Sequence, residues 1–425
     1  MRASVTGGLT ALLLTLGLLT MTAGSVAAAP GSRQASRDVS FTFWNSGPDL
    51  TTLVNDFNKK FAGRFHIAYR NMPYANETEI VNSALAAHRA PVLVEESLTP
   101  SATYADEGVE LPIAPILRMA GVNPRVDFPA SMWKNTTVHG VHYVAPVDAL
   151  PTVLFYNKSL FRKAGLDPNK PPANAAQFVA DAQKITNSKK GIWGYVQEPG
   201  WPNPFLFPSL LAQFGGREAN AATRKIMLDS PAGVKALTFE WDTIFKWHVS
   251  PVNASNGEAH NLFVKGTNAM EITGAYDFSL YKKALGSDLG MAPVPVIGAR
   301  EADFLGQNYW WLFKSPAVTP SVKKAVAAWF KYFYSHGMTL AQEGTIPVWE
   351  STLRSPAFER IDGMPVIYKM VQTGVLNPLI PNWGTTTTTY LYNEISLVLE
   401  GKVSPKQGLY VAGRKMQQVM ATLPS

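Results

Sequence analysis

Residues 39–69 constrain the fold more than any other stretch of this chain. Val39 to Trp44 alternates apolar and polar side chains with β-branched and aromatic residues, then breaks at Ser46-Gly47-Pro48. Leu50 to Phe61 places Leu53, Val54, Phe57 and Phe61 at helical spacing, and Phe65 to Tyr69 alternates again. A strand, a helix and a second strand in that order define a β-α-β unit, which commits the chain to an α/β fold. The pattern continues with a helix over 79–88 and a short buried strand over 91–94. Glu95, Glu96 and Ser97 are expected at the C-terminal edge of that strand, where open α/β sheets bind ligands. Strands are predicted at 141–146 and 152–156, flanking Asp148 to Pro151, and a strand at 192–196 is expected to end in an aromatic, proline-rich loop over 199–207. Helices follow at 159–164, 173–185, 207–214 and 232–247. Residues 263–272 run from a helix end into a strand that stops at Thr273 to Tyr276. From Pro320 the pattern is helical, with interruptions at 344–350 and 376–384. No tandem repeat or long linker separates these segments, so any lobes are interleaved.

The first residues read as an export signal. Met1 and Arg2 precede an apolar stretch around Leu9 to Leu19 that ends in small residues from Ala23 to Ala29. The apolar run is too short for a membrane span, which needs roughly 20 residues, so cleavage near Ala29 and a soluble exported product are expected. The chain has no cysteine, which excludes disulfides, thiolate metal sites, a cysteine nucleophile and a lipidated N-terminal cysteine. Lys and Arg number 38 against 31 Asp and Glu. The surplus is scattered in pairs such as Lys59-Lys60 and Lys323-Lys324, so no nucleic-acid surface is expected.

Motifs for common catalytic chemistry are missing. There is no G-x-S-x-G elbow, P-loop, H-E-x-x-H helix, EF-hand loop or G-x-G-x-x-G fingerprint. His139 and His142 form an H-x-x-H pair on a predicted hairpin, where such spacing points the rings to opposite faces, so a turn or surface role is expected. Glu95, Glu96, Asp148, Glu198 and Glu271 supply carboxylates from which a glycosidase would draw an acid and base pair. Aromatic residues are plentiful, and several fall in predicted loops after strands. Trp44, Trp201, Tyr276, Tyr309 to Trp311, Trp383, Tyr390 and Tyr392 are of this kind. Flat apolar rings stack on the C–H faces of a sugar or polyol while neighbouring polar groups bond its hydroxyls. The five threonines Thr385 to Thr389 read either as a flexible loop or as hydroxyl donors to such a ligand.

Five segments in order carry a resemblance: FNKKF at 57–61, YNKSLFRKAGLDP at 156–168, LLAQFGG at 210–216, FVKGTNAM at 263–270 and GKVSPKQGL at 401–409. The chain resembles extracellular solute-binding protein family 1, the binding components of sugar ABC importers, over nearly all of its length after the signal. Two departures stand out. The family's P-x-T-W-x-E helix start is PPANAAQF at 171–178, and its Gly-x-Trp is Gly274-Ala275-Tyr276. Tyr74, the 95–97 segment and Gly306-Gln307 are also similar to the branch that binds glycerol 3-phosphate. That branch's phosphate-binding arginine corresponds to Thr388 here, and the tyrosine of its G-Y-L-P segment to Thr345.

The resemblance implies a two-lobed type II periplasmic binding protein fold, with a ligand cleft between the lobes and three hinge crossings near 148–150, 305–309 and 344–350. It implies an N-terminal lobe of residues 38–148 plus 310–345 and a C-terminal lobe of 149–306 plus 350–425, after a signal peptide of residues 1–29. The implied protein is not an enzyme. It binds a sugar, oligosaccharide or polyol without a cofactor or metal, delivers it to ABC permease subunits, works as a monomer and is periplasmic or extracellular without a lipid anchor. The expected ligand-binding residues are Trp44, Tyr74, Glu96, Ser97, Asp148, Trp201, Gly274, Tyr276, Gln307, Trp310, Thr388 and Tyr390. Of these, Trp44, Trp201, Tyr276 and Trp310 are expected to stack, and Glu96, Asp148, Gln307 and Thr388 to bond hydroxyls. A glycerol 3-phosphate binder, a secreted glycoside hydrolase and an adhesion or sensory module are the alternatives.

Overall fold

The computed structural model describes residues 38–97, 101–200, 203–342 and 345–423. The export segment, Trp201 and Gly344 lie outside the described residues. The β-α-β unit is present as expected: β1 Val39–Asn45, α1 Thr51–Lys60 and β2 Phe65–Asn71, followed by α2 Glu77–Ala86 and β3 Leu93–Ser97. β1 pairs in parallel with β2 and β3. Phe41, Phe43 and Asn45 point to the buried side of β1, and α1 buries Leu53, Val54 and Phe57 along one stripe, as periods of 2 and 3.6 require.

The chain leaves this sheet through β4 Val144–Pro146 and enters a second one with β5 Leu150–Asn157. β5 is buried along seven consecutive residues, the mark of a strand covered on both faces. Five α-helices follow among the described residues, Lys158–Lys163, Ala175–Ile185, α3 Asn203–Gln213, α4 Pro231–Phe245 and Glu258–Val264, before β6 Met270–Gly274 and β7 Leu289–Pro293 pair antiparallel on either side of β5. The short β8 Leu305–Gly306 also pairs with β5. β9 Asn308–Leu312 then returns to the first sheet and lies antiparallel between β3 and β4, giving the order β2-β1-β3-β9-β4.

α5 Pro320–Ser335 closes the first sheet. Thr319 caps it through its side chain, which accepts the Val322 N–H at 3.2 Å, and Pro320 occupies the first helical position. Its Trp329 and Phe333 meet Phe43 and Trp310 from the sheet, with Trp329 also edge-on to Phe57 at 5.5 Å. α6 Met364–Thr373 packs on β5 and β7. The last segment is mostly helical: α7 Trp383–Thr386, a π-helical stretch Thr387–Tyr392, α8 Asn393–Leu399 and, after a turn over 400–404, α9 Pro405–Thr422.

Glu95, Glu96 and Ser97 are the last three residues of β3, at its C-terminal end as expected, and each faces a residue of β9. Two expectations change. Residues 192–196 make only isolated bridges, to Asn187 and Asn268. The 385–389 run is helical, and the Thr386 and Thr387 hydroxyls donate to backbone carbonyls three and four residues back at 2.9–3.0 Å. Such back-bonding satisfies the hydroxyl without leaving the helix. No helix among the described residues is long and apolar enough to cross a membrane.

Candidate functional site

Three passages of chain link the two sheets, and hydrogen bonds lace them together. The first, 147–149, runs from β4 to β5; the second is Gln307, between β8 and β9; the third runs through 345–349. Asp148 accepts the Asn308 N–H and its side-chain amide, both at 3.0 Å. Val147 N–H donates to Asn308 O at 2.9 Å and Ala149 N–H to Ile346 O at 3.1 Å. Burial raises the Asp148 carboxyl to about 6 against the opposing pull of the two Asn308 bonds.

Beside these crossings lie three cavities of ≈ 480, ≈ 500 and ≈ 630 Å³, all walled in part by Tyr74. Tyr74 follows Pro73 on a single 3-10 turn and remains 52% exposed. The ≈ 480 Å³ cavity is lined from the first sheet by Ser97, from the second by Leu150 and Gly306, from α3 by Phe205, and from the crossing by Gln307 and Asn308. Loop residues such as Pro199, Asn256 and Asn377 add to it, and a further wall is helical. Gly384, Thr388, Tyr392 and Ser396 recur every four residues along α7, the π-helical stretch and α8 and all face the cavity, as one helix face does. The ≈ 630 Å³ cavity adds Ser46, Gly47, Asp49, Asp148 and Tyr276.

The electrostatics are one-sided. The described walls of the ≈ 480 Å³ cavity carry no charged side chain, those of the ≈ 630 Å³ cavity only Asp49 and Asp148, and those of the ≈ 500 Å³ cavity only Glu77 and Glu79. None of residues 98–100, 201–202 and 343–344 is Lys or Arg either. Behind the walls stand further acids. Glu77 accepts from the Ser46 and Ser97 hydroxyls, the latter at 2.7 Å, and Glu95 accepts the Ser46 N–H at 3.1 Å and the Gly47 N–H. A Cβ at Gly47 would press on the Glu95 carboxylate and displace it from the Ser46 and Gly47 N–H groups. Burial first, and then neighbouring carboxylates, hold Glu95 and Glu96 well above the ordinary range.

The expected residues therefore divide. Tyr74, Ser97, Asp148, Tyr276, Gln307 and Thr388 are brought to the cavity walls. Glu96 is not, because it is fully buried and accepts from Thr78 Oγ1 at 2.6 Å. Trp310 has no open face to offer a ligand, being fully buried with Phe43 at 5.1 Å and Phe333 at 5.0 Å. Trp44 instead stacks under the Arg70 guanidinium, 4.8 Å from the ring centre. Gly274 is buried and makes room for the Tyr276 ring, which a Cβ would strike. Tyr390 packs on the core, off the cavity stripe that Tyr392 occupies. Trp201 lies outside the described residues. Sequence reasoning missed Phe205, Asn308 and Asn377, all of them cavity-lining; Tyr392 and Ser396 were findable from the four-residue spacing.

The other candidates have local partners. His139 Nε2 pairs with Asp106 at 2.7 Å, and the His142 ring stacks on Trp133 at 3.9 Å while its Nδ1 meets Thr136 Oγ1. Glu198 accepts the Ala259 N–H at 3.1 Å, and Glu271 is buried in β6. No group of three or more His, Asp or Glu among the described residues is placed to hold a metal ion.

Two sheets bridged by three short crossings, with cavities opening beside those crossings, define a two-lobed binding protein. The chain belongs to the bacterial extracellular solute-binding protein family, which matches residues 45–339. It is 24% identical over 384 residues to the sn-glycerol-3-phosphate-binding periplasmic protein UgpB of Brucella abortus (strain 2308), covering 84% of this chain and 86% of that one. Among solved structures it is similar to the ABC substrate-binding protein Lmo0181 from Listeria monocytogenes in complex with cycloalternan, with a TM-score of 0.77, 20% identity and coverage of 90% of this chain and 99% of that one. The GacH receptor of Streptomyces glaucescens, solved unliganded and with acarbose, gives a TM-score of 0.77 and 22% identity over 91% of this chain and 99% of that one.

Proposed function

We propose that this chain is the substrate-binding component of an ABC importer, and that it holds an uncharged sugar, oligosaccharide or polyol between its lobes for delivery to membrane permeases. The observation that carries the reading is the composition of the cavity walls: among the described residues they present rings and neutral hydrogen-bonding groups, with carboxylates as the only charges in the three cavities that share Tyr74. In this reading Tyr74, Tyr276 and Tyr392 offer ring faces or hydroxyls, and Ser97, Asn308 and Thr388 bond ligand hydroxyls. Residues 38–148 with 310–345 form one lobe and 149–306 with 350–425 the other, and ligand favours their closed arrangement by binding it more tightly. The protein acts as an exported, soluble monomer without a lipid anchor and without catalysing a reaction.

The similarity to UgpB raises glycerol 3-phosphate as a second reading. A phosphate dianion calls for Arg, Lys or a cluster of N–H donors, and these walls oppose it with acids. Calorimetric titration against mono- and oligosaccharides, polyols and glycerol phosphates tests the function, with each sugar recovered and chromatographed afterwards. A neutral ligand is expected to bind with micromolar or tighter affinity, about −8 kcal/mol or stronger, and to be recovered intact. Turnover of an oligosaccharide would instead indicate a glycosidase.

A further inference from the structure

Two buried glutamines in the second half of the chain stand in opposite conditions. Gln213, at the end of α3, has every role filled: its Nε2 donates to Pro295 O and Ala302 O, both at 3.0 Å, and its Oε1 accepts from Ile297 and Gly298 N–H at 2.7 and 3.1 Å. It is a structural pin. Gln307 is only 6% exposed, yet neither its Oε1 nor its Nε2 has a protein partner within hydrogen-bonding distance. Among the described residues lining the three cavities that share Tyr74, it is the one side chain with a buried, unpartnered polar atom. A fold retains a buried amide in that condition where a ligand completes it, because an unmet donor or acceptor is costly.

Its position adds to this. Gln307 is the second crossing itself, between β8 and β9, and its neighbour Asn308 is tied to Asp148 of the first crossing. A group bonded there touches the part of the chain that must flex when the lobes close.

We propose that Gln307 is a specificity-determining residue, reading two adjacent uncharged hydroxyls of the solute from the hinge crossing. This deepens the proposed function and rests on it. A primary amide presents a carbonyl acceptor and an NH₂ donor side by side, and a vicinal diol answers with one hydroxyl donating and the other accepting. A carboxylate or phosphate can only accept, which leaves the carbonyl facing an anion. An ammonium can only donate, which leaves the NH₂ unmet.

The test uses the full mature chain and its Gln307→Met and Gln307→Asn variants, titrated with D-glucose, maltotriose, trehalose, myo-inositol and glycerol, and with the monodeoxy analogues of whichever binds best. Met nearly preserves volume while removing both polar atoms. We expect Gln307→Met to bind the best ligand roughly tenfold to a hundredfold more weakly, and Gln307→Asn to be weakened because the shorter side chain withdraws the amide. At least one monodeoxy analogue should lose affinity in the wild type and lose none further in Gln307→Met, the mark of a shared contact. Ligand-free Gln307→Met should melt at the same temperature as wild type or higher, since no protein bond is lost. A structural role for Gln307 would lower that melting temperature. Binding by Gln307→Met within twofold of wild type, or deoxy losses equal in both proteins, overturns the inference while leaving the proposed function standing. A wild type that binds no neutral member of the panel overturns the proposed function and the inference with it.

Discussion

At the scale of single residues, burial decides which aromatic rings can meet a ligand and which hold the fold together. Trp310 and Tyr74 are both expected at the ligand, although Trp310 sits in the apolar run 309–313 and Tyr74 follows Pro73 ahead of polar residues. The structure encloses Trp310 completely and leaves Tyr74 half exposed beside three cavities. Trp310→Ala is therefore expected to lower stability by about 3–5 kcal/mol, the range for emptying a large aromatic from a packed core, read as the urea midpoint. A midpoint within a few tenths of molar urea of wild type would place the ring outside the core. Tyr74→Ala should leave the midpoint nearly unchanged and weaken the best neutral ligand by roughly tenfold or more. A stable variant that binds as tightly as wild type would remove Tyr74 from the site.

At the scale of elements, the β-α-β opening was legible because alternation and helical spacing survive in a single sequence. The carboxylates of 95–97 were legible as a group near the site, but their individual directions were not. Successive strand residues face opposite ways, so Glu95 reaches Ser46 and Gly47 while Glu96 turns to Thr78. The threonine run was the larger miss. β-branched residues are poor helix formers, and the back-bonds that keep Thr386 and Thr387 helical form only once the helix exists. Reading that run as helix would have put Thr388, Tyr392 and Ser396 on one face and Tyr390 off it. π-helical insertions occur disproportionately at functional sites, and this one, Thr387–Tyr392, joins two parts of the cavity stripe. Deleting Thr389 should convert it to regular α-helix and rotate Tyr392 and Ser396 away from Gly384 and Thr388. Affinity for the best neutral ligand is then expected to fall more than about tenfold, with the far-ultraviolet circular dichroism unchanged; retained affinity would show that the insertion does not set the stripe.

At the scale of the whole molecule, the dominant electrostatic feature is buried acid without matching base. Burial raises Asp148 and Asp277 to about 6, Glu218 to about 7 and Asp303 to about 8. Each of these takes up a proton on folding between its ordinary value near pH 4 and its raised one, so over that window the native state binds more protons than the unfolded chain. Stability falls with rising pH wherever that holds. The contribution is complete below the ordinary carboxyl range near pH 4 and is lost as pH climbs through 6 to 8. Urea midpoints should accordingly be higher at pH 5.5 than at pH 8, and Asp303→Asn should flatten the upper part of that slope. A midpoint that rises toward pH 8 would show these carboxyls to be ionised and compensated.

The same surplus of acid bears on what the cleft can hold. The family and the two-lobed fold were both legible in the sequence, since segments such as 156–168 and 263–270 carry them. The choice between a neutral solute and a phosphate ester turns on side chains gathered from distant parts of the chain. A single competition titration decides it: tryptophan fluorescence at pH 7 and low salt, with glycerol 3-phosphate and a panel of neutral sugars and polyols offered separately and together. At least one neutral ligand is expected to bind at micromolar concentration or below and to resist displacement by millimolar glycerol 3-phosphate. Tight binding of the phosphate ester, with the neutral ligands unable to displace it, would contradict this expectation.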